Sequence, residues 1–149
     1  MGDRAAVAIR AAEIADAVAL ADLSTQLGYP ADAEALRRRL HRIREENVGE
    51  VFVAIDTDNH VVGWTHVVPR LILEEEPYGE LAGLIVSENA RSAGVGLALL
   101  RAAQTWARDR GLAIFKVRSN VIRERAHRFY LREGYTERKR QVVFERNLD

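Results

Sequence analysis

One stretch, Leu81 to Leu100 (LAGLIVSENARSAGVGLALL), leaves this chain few choices of fold. It opens with an apolar run, Leu81 to Val86, that reads as a buried strand. A polar turn follows, Ser87-Glu88-Asn89-Ala90, then Arg91-Ser92-Ala93-Gly94-Val95-Gly96, and behind it an apolar run rich in helix formers. The order is strand, glycine-bearing loop, helix N-terminus. The first backbone N–H groups of a helix have no partner within it and sit at the positive end of its dipole. An anion can dock there without a lysine. Gly94 and Gly96 carry no Cβ, so the backbone can turn sharply and approach a phosphate closely. No Gly-Lys-Ser/Thr ends the loop, so it is not a P-loop. An arginine stands at the first glycine position and no βαβ unit leads in, so it is not the dinucleotide fingerprint either. Taken alone, the pattern serves equally as a helix start with two convenient glycines.

The rest of the chain supplies elements around this centre. Val7 to Arg10 reads as a short first strand. From Glu13 the pattern is helical, with Ile14, Val18, Ala21 and Leu23 at helical spacing, and it stops near Gly28 with Pro30 beyond. Asp32 is placed to cap a second helix striped by Leu36, Leu40 and Ile43. Its arginines, Arg37, Arg38, Arg39, Arg42 and Arg44, read as a solvated face. Val51 to Ile55 and Val61 to Val68 form a hairpin about the turn Asp56 to His60, and Pro69 ends the second strand. Gly63 within that strand marks a bulge or a close backbone approach. Trp64 and His66 share a face, and a lone strand histidine is more often structural than catalytic. After the central helix, which should end near Gly111, Ala113 to Val117 is a strand and Ile122 to Glu133 a helix, with Gly134 as its C-terminal cap. Thr136 to Leu148 is extended, with Val142-Val143-Phe144 its apolar part. The sum is an α/β (α+β) chain with a mixed, largely antiparallel sheet flanked by helices, expected as one domain, 1–149.

Composition closes several routes. Lys+Arg and Asp+Glu both number 22, which argues against a nucleic-acid partner. With no cysteine there are no disulfides, thiolate nucleophiles or zinc–thiolate sites, and a reducing cytoplasm is the expected setting. Four dispersed histidines give no metal signature. No signal-peptide pattern opens the chain, and no apolar run is long enough to cross a bilayer, so no membrane partner is expected.

Arg91-x-x-Gly94-x-Gly96 between strand and helix resembles the acyl-CoA signature of the GNAT superfamily of N-acyltransferases. A second segment agrees. Asn120 ends an apolar run, and Ala126-His127-Arg128-Phe129-Tyr130 precedes Gly134-Tyr135, similar to the superfamily's later N…A…FY…GF segment. The resemblance spans Glu80 to Tyr135. It implies a twisted GNAT-like sheet whose central strand and the strand at Ala113 to Val117 run parallel and splay apart, with acyl-CoA in the gap. Leu84, Ile85 and Val86 would offer backbone groups to the pantetheine chain as to an added strand. Arg91, Ser92, Ala93, Gly94, Val95, Gly96 and Leu97 would hold the pyrophosphate. Asn120 would bond the pantetheine arm, with Ala126 and Tyr130, which share a helix face, also against the cofactor.

The implied reaction is acetyl transfer from acetyl-CoA to a primary amine. An alkyl ammonium has a pKa near about 10, so at neutral pH only about one molecule in a thousand is nucleophilic. Glu80 lies where several family members carry the base that removes its proton. The backbone N–H of Leu84 is the candidate donor to the thioester oxygen. The resemblance assigns protonation of the departing thiolate to Tyr130; its alternative is an interior tyrosine packed beside Phe129. Tyr29, between the first two helices, is a candidate substrate contact or a turn residue packed on the core. Glu74, Glu75 and Glu76 read as a solvated loop or as a rim that attracts a cation, with Glu76 and Glu80 as the substrate-binding candidates. A small-molecule amine, such as an aminoglycoside or polyamine, is the first expectation. A protein α-amine or lysine is the second, and a domain that binds acyl-CoA without catalysis is the alternative of another class. A homodimer through the C-terminal strand is common in such families.

Overall fold

The hairpin expected about Asp56 to His60 seeds the sheet. β2 (Glu50–Ile55) and β3 (Val61–Arg70) pair antiparallel. Asp56 closes their turn, its Oδ1 accepting from the backbone N–H of Asp58 and of His60, each at 2.9 Å. β1 (Ala8–Ala11) adds antiparallel to β2, β4 (Tyr78–Val86) antiparallel to β3, and β5 (Ile114–Val117) parallel to β4. The sheet order is β1-β2-β3-β4-β5. This computed structural model describes residues 7–91 and 93–149, which fall into two compact units, Met1–Val117 and Arg118–Asp149.

In the first unit, strand alternation sends apolar residues to both faces of the sheet. Val51, Val53 and Ile55 bury with Leu20 of α1 (Ala17–Gln26) and Leu40 of α2 (Ala33–Glu45), and Trp64 packs on that cluster. Ala54 buries on the opposite face with Val95 and Leu99 of α3 (Val95–Asp109), joined by Phe52, Val62, Leu84 and Val86. Asp32 caps α2 as expected, accepting from the Ala35 N–H at 3.2 Å. The first helix begins later than its periodicity suggests. A 3₁₀ turn over Ile14–Asp16 comes first, and Val18 is exposed rather than in the core. The Arg10 guanidinium, 2.7 Å from Asp16, holds that carboxyl below its usual range and anchors the turn to β1.

Several elements differ from the sequence reading. β3 runs through Pro69 to Arg70. β2 reaches only Val67, so Pro69 has β4 on one side and no strand ladder on the other, where its missing N–H costs nothing. β4 starts at Tyr78, so Glu80 lies inside the strand rather than at its opening. Residues 136–148 form no strand, because a strand is defined by a ladder and none of these residues joins one. Within the second unit, α4 (Glu124–Arg132) ends on Gly134 at φ 92, with Gly134 N–H on the Leu131 carbonyl at 3.2 Å and Tyr135 N–H on the Tyr130 carbonyl at 3.0 Å. That pair of bonds is the Schellman motif.

Candidate active site

β4 outlasts its parallel partner. β5 pairs only with residues 78–81 of β4, so residues 82–86 run on without β5 beside them. Along a strand, successive residues direct their backbone polar groups to opposite sides. Ser87 N–H donates to the Val62 carbonyl at 2.8 Å, and the Gly83 carbonyl accepts the Thr65 hydroxyl at 2.7 Å, both toward β3. A Cβ on Gly63 would come within 3.0 Å of the Ile85 oxygen, which puts that oxygen on the β3 side as well. Leu84 and Val86 therefore turn their N–H and C=O to the other edge. Ile85, grouped with them in the sequence reading, turns its backbone to β3 instead.

The strand then delivers the chain to the glycine loop. A 3₁₀ turn, Glu88–Ala90, leads to the exposed Arg91. Ser92 lies outside the described residues. Ala93 N–H bonds the Ala90 carbonyl at 3.3 Å. Gly94 is the N-cap of α3 at φ 80 and ψ 9, a left-handed conformation that suits glycine. The first helical bond runs from Ala98 N–H to the Gly94 carbonyl at 3.0 Å, so the N–H groups of Val95, Gly96 and Leu97 precede the ladder. Gly94 has no side chain to cap them, and among the described residues a Cβ on it would meet no heavy atom within 4 Å. The result is an open cradle of N–H donors at the positive end of a long helix, and its donor set fits a phosphate group.

The face of the sheet that carries Glu80 follows from a bulge. Pairing steps from His66↔Gly83 to Val67↔Leu81, which leaves Ala82 as the extra residue. Above the bulge, Gly83 lies against the Trp64 ring, where its Cβ would be 3.0 Å from the ring edge. Below it, a Cβ on Gly79 would meet Ala107 of α3 at 2.8 Å and the Phe115 ring at 3.0 Å. Gly79, Leu81 and Phe115 thus face α3, while Tyr78, Glu80 and Lys116 face the side of Trp64, His66, Val68 and Arg70. Trp64 ties α1 to this side, its indole N–H donating to Ser24 Oγ at 3.2 Å.

On that face Glu80 is buried, its side chain 11% exposed, with Arg70 Nε 3.7 Å from Oε2. Lys116 Nζ sits 4.2 Å from the centroid of the fully buried Tyr78 ring and 3.2 Å from Glu75 Oε2. Of the acidic loop, Glu75 is engaged here, whereas Glu76 is exposed. Tyr29 is half exposed in the turn after α1, its N–H on the Ser24 carbonyl at 2.9 Å. Burial holds the His66 imidazole below its usual pKa, and its Nε2 is buried without a hydrogen-bond partner.

The second unit carries the later segment. Asn120 makes a turn, its Oδ1 accepting from Ile122 N–H at 3.1 Å and its carbonyl from Arg123 N–H at 3.0 Å. Ala126 and Tyr130 lie one turn apart on α4 and are both half-buried. Tyr130 meets the rings of Phe129 at 5.2 Å and Tyr135 at 5.8 Å, both edge to face. Burial pushes its hydroxyl pKa up to about 12.

Arg70, Tyr78 and Lys116 escaped the sequence reading. Lys116 joins the Glu80 face through the β4–β5 register, which alternation within one strand does not set. Tyr78 was hidden because the strand was begun too late.

The model of the acetyltransferase (GNAT) family matches residues 17–135. An aminoglycoside N(6')-acetyltransferase type 1 of Stenotrophomonas maltophilia is 35% identical over 145 residues, covering 95% of this chain and 94% of its own. Among solved structures, an aminoglycoside N-acetyltransferase in complex with CoA superposes with a TM-score of 0.84 at 18% identity, covering 97% of each chain. The aminoglycoside 6'-N-acetyltransferase of Acinetobacter baumannii has a TM-score of 0.82 at 16% identity, covering 97% of this chain and 100% of its own.

Proposed function

The chain belongs to the GNAT acetyltransferase family, and from that premise we propose that it moves the acetyl group of acetyl-CoA to the primary amine of a small molecule. The observation that carries the reading is the continuity of β4 and α3. The strand edge at Leu84 and Val86, beyond the reach of β5, runs directly into an open N–H cradle at Gly94. An extended amide-bearing arm ending in a pyrophosphate fits that order of groups. The family match crosses the boundary between the two units, which supports reading them as one domain.

The roles follow from what amide formation requires. Leu84 N–H, turned to the free edge, donates to the thioester oxygen as charge develops there. Glu80 accepts the proton of the incoming ammonium, directly or through a water. Tyr130, protonated at neutral pH, supplies the proton of the departing thiolate. Val95, Gly96 and Leu97 hold the pyrophosphate through their N–H groups, with Arg91 beside them. Asn120 and Ala126 contribute to the pantetheine contacts, and Tyr29 and Glu76 to the acceptor's. Aminoglycosides head the acceptor candidates because the Stenotrophomonas maltophilia relative is named for them.

We further place the chain in the cytoplasm, where a cysteine-free protein meets acetyl-CoA. Among the described residues no helix is long and apolar enough to cross a membrane. A homodimer is supported by the exposed Val142, Val143, Phe144 and Leu148 of the C-terminal segment.

The test is CoA thiol release from acetyl-CoA with a panel of aminoglycosides, linear polyamines, simple monoamines and lysine-bearing peptides. Turnover with small amines well above that with peptides is expected. Turnover with peptides alone moves the substrate to proteins, and tight acetyl-CoA binding without turnover leaves a binding domain.

A further inference from the structure

Resting on the acetyltransferase reading, we propose that Lys116 determines acceptor specificity by filling, with its own ammonium, a second cation subsite beside Glu80. Lys116 and Glu80 are Cα partners across the parallel β4–β5 pair, about 5 Å apart in a ladder of this kind. Both face the side of the sheet that α1 covers. The Lys116 ammonium lies over the Tyr78 ring at 4.2 Å and against Glu75 at 3.2 Å. An aromatic face with a carboxylate at its rim is the environment that best receives an ammonium away from bulk water. A polycation that offers one amine to Glu80 would find its next ammonium aimed at this same aromatic and carboxylate pair. In this chain the pair already holds a cation.

Arg70 reinforces the effect. It pairs with Tyr78 across the β3–β4 ladder and stands 3.7 Å from Glu80, so Arg70 and Lys116 set two cations beside Glu80 and Glu75. A second ammonium must displace Lys116 or remain in water, whereas a monoamine meets neither demand. Lys116 is suited to yield, since its side chain is 33% exposed and flexible rather than locked in a bidentate pair. The chain therefore holds polycationic acceptors more weakly than its carboxylates alone would.

The experiment compares two acceptors with the same reacting end, a linear monoamine and a polyamine of similar length, in the parent and in Lys116→Met, which keeps the aliphatic stem. The ratio of kcat/KM for polyamine over monoamine should rise at least tenfold, through KM, with kcat unchanged. Lys116→Arg retains a cation and should keep the parent ratio. Lys116→Gln serves if the Met variant does not fold. Calorimetric binding of the two amines in the presence of CoA should show the same shift. A ratio within threefold of the parent in both measurements overturns the proposal, as does an equal loss of kcat with both amines, which marks a structural role. If the parent acetylates neither amine, the acetyltransferase reading is judged on the wider amine panel, and the calorimetric ratio still decides the role of Lys116.

Discussion

The proposed donor role of Tyr130 is testable at a single atom, and burial holds its hydroxyl pKa up at about 12. Tyr130→Phe keeps the ring and its edge contacts with Phe129 and Tyr135. Acetyl-CoA binding should barely change, while kcat should fall roughly 100-fold, the lower end of general acid catalysis because water can partly substitute. Steady-state kinetics with a good acceptor check this, and a kcat within about threefold of the parent would leave Tyr130 as packing only. His66 predicts a different signature. Its folded pKa lies below the usual 6.5, so the unfolded chain binds the proton more readily. The stability this histidine contributes is complete above about pH 6.5 and is lost as pH falls below that value toward the folded pKa, by at most about 1.4 kcal/mol per pH unit. Urea midpoints at pH 5.5 and 7.5 should diverge less in His66→Gln than in the parent. At this scale the sequence singled out Gly94 and Tyr130 as candidates because each stands in a motif, and Glu80 because of its place on the strand that leads into one. Lys116 and Tyr78 stand in none, and their meeting depends on which strands become neighbours.

The strand–loop–helix unit was legible before the structure, and its physics can be tested element by element. Gly94 combines a left-handed backbone with a position at the mouth of three N–H donors. Gly94→Asn tolerates φ 80 and adds no charge, so it should keep acetyl-CoA affinity within a few fold. Gly94→Glu puts a carboxylate where a phosphate would dock. Calorimetry should show affinity lower by tenfold or more, about 1.4 kcal/mol, with the fold retained by circular dichroism. Equal affinities in the parent and the Glu variant would remove the cradle from the cofactor site. The bulge at Ala82 was not legible. Bulges are set by tertiary pairing, and residues 81–86 read as one regular run. It is this bulge that places Gly83 and Glu80 on one face. Pro69 misled the strand boundary for a related reason, since tolerance of proline depends on whether a second ladder lies beside it.

For the whole molecule, the sheet, its order of elements and the reaction class were within reach of pattern and motif, because alternation and capping act locally. The C-terminal segment was not. Its residues read as extended, one strand or two, yet no ladder forms there and Val142 is 76% and Phe144 90% exposed; the homodimer proposed above would give that segment a partner. Sedimentation of the parent should show a dimer, and Val143→Asp with Phe144→Asp should shift it to monomer; a parent monomeric at micromolar concentration would contradict the interface. The central claim is transfer itself. Mass spectrometry after incubation with acetyl-CoA carrying an isotopic label in its acetyl group reads it directly. The account predicts labelled acetyl on a primary amine of the small molecule, equimolar CoA, and loss of both with Glu80→Gln. Label that stays on CoA, in a chain that binds acetyl-CoA and is offered the full amine panel, would contradict it.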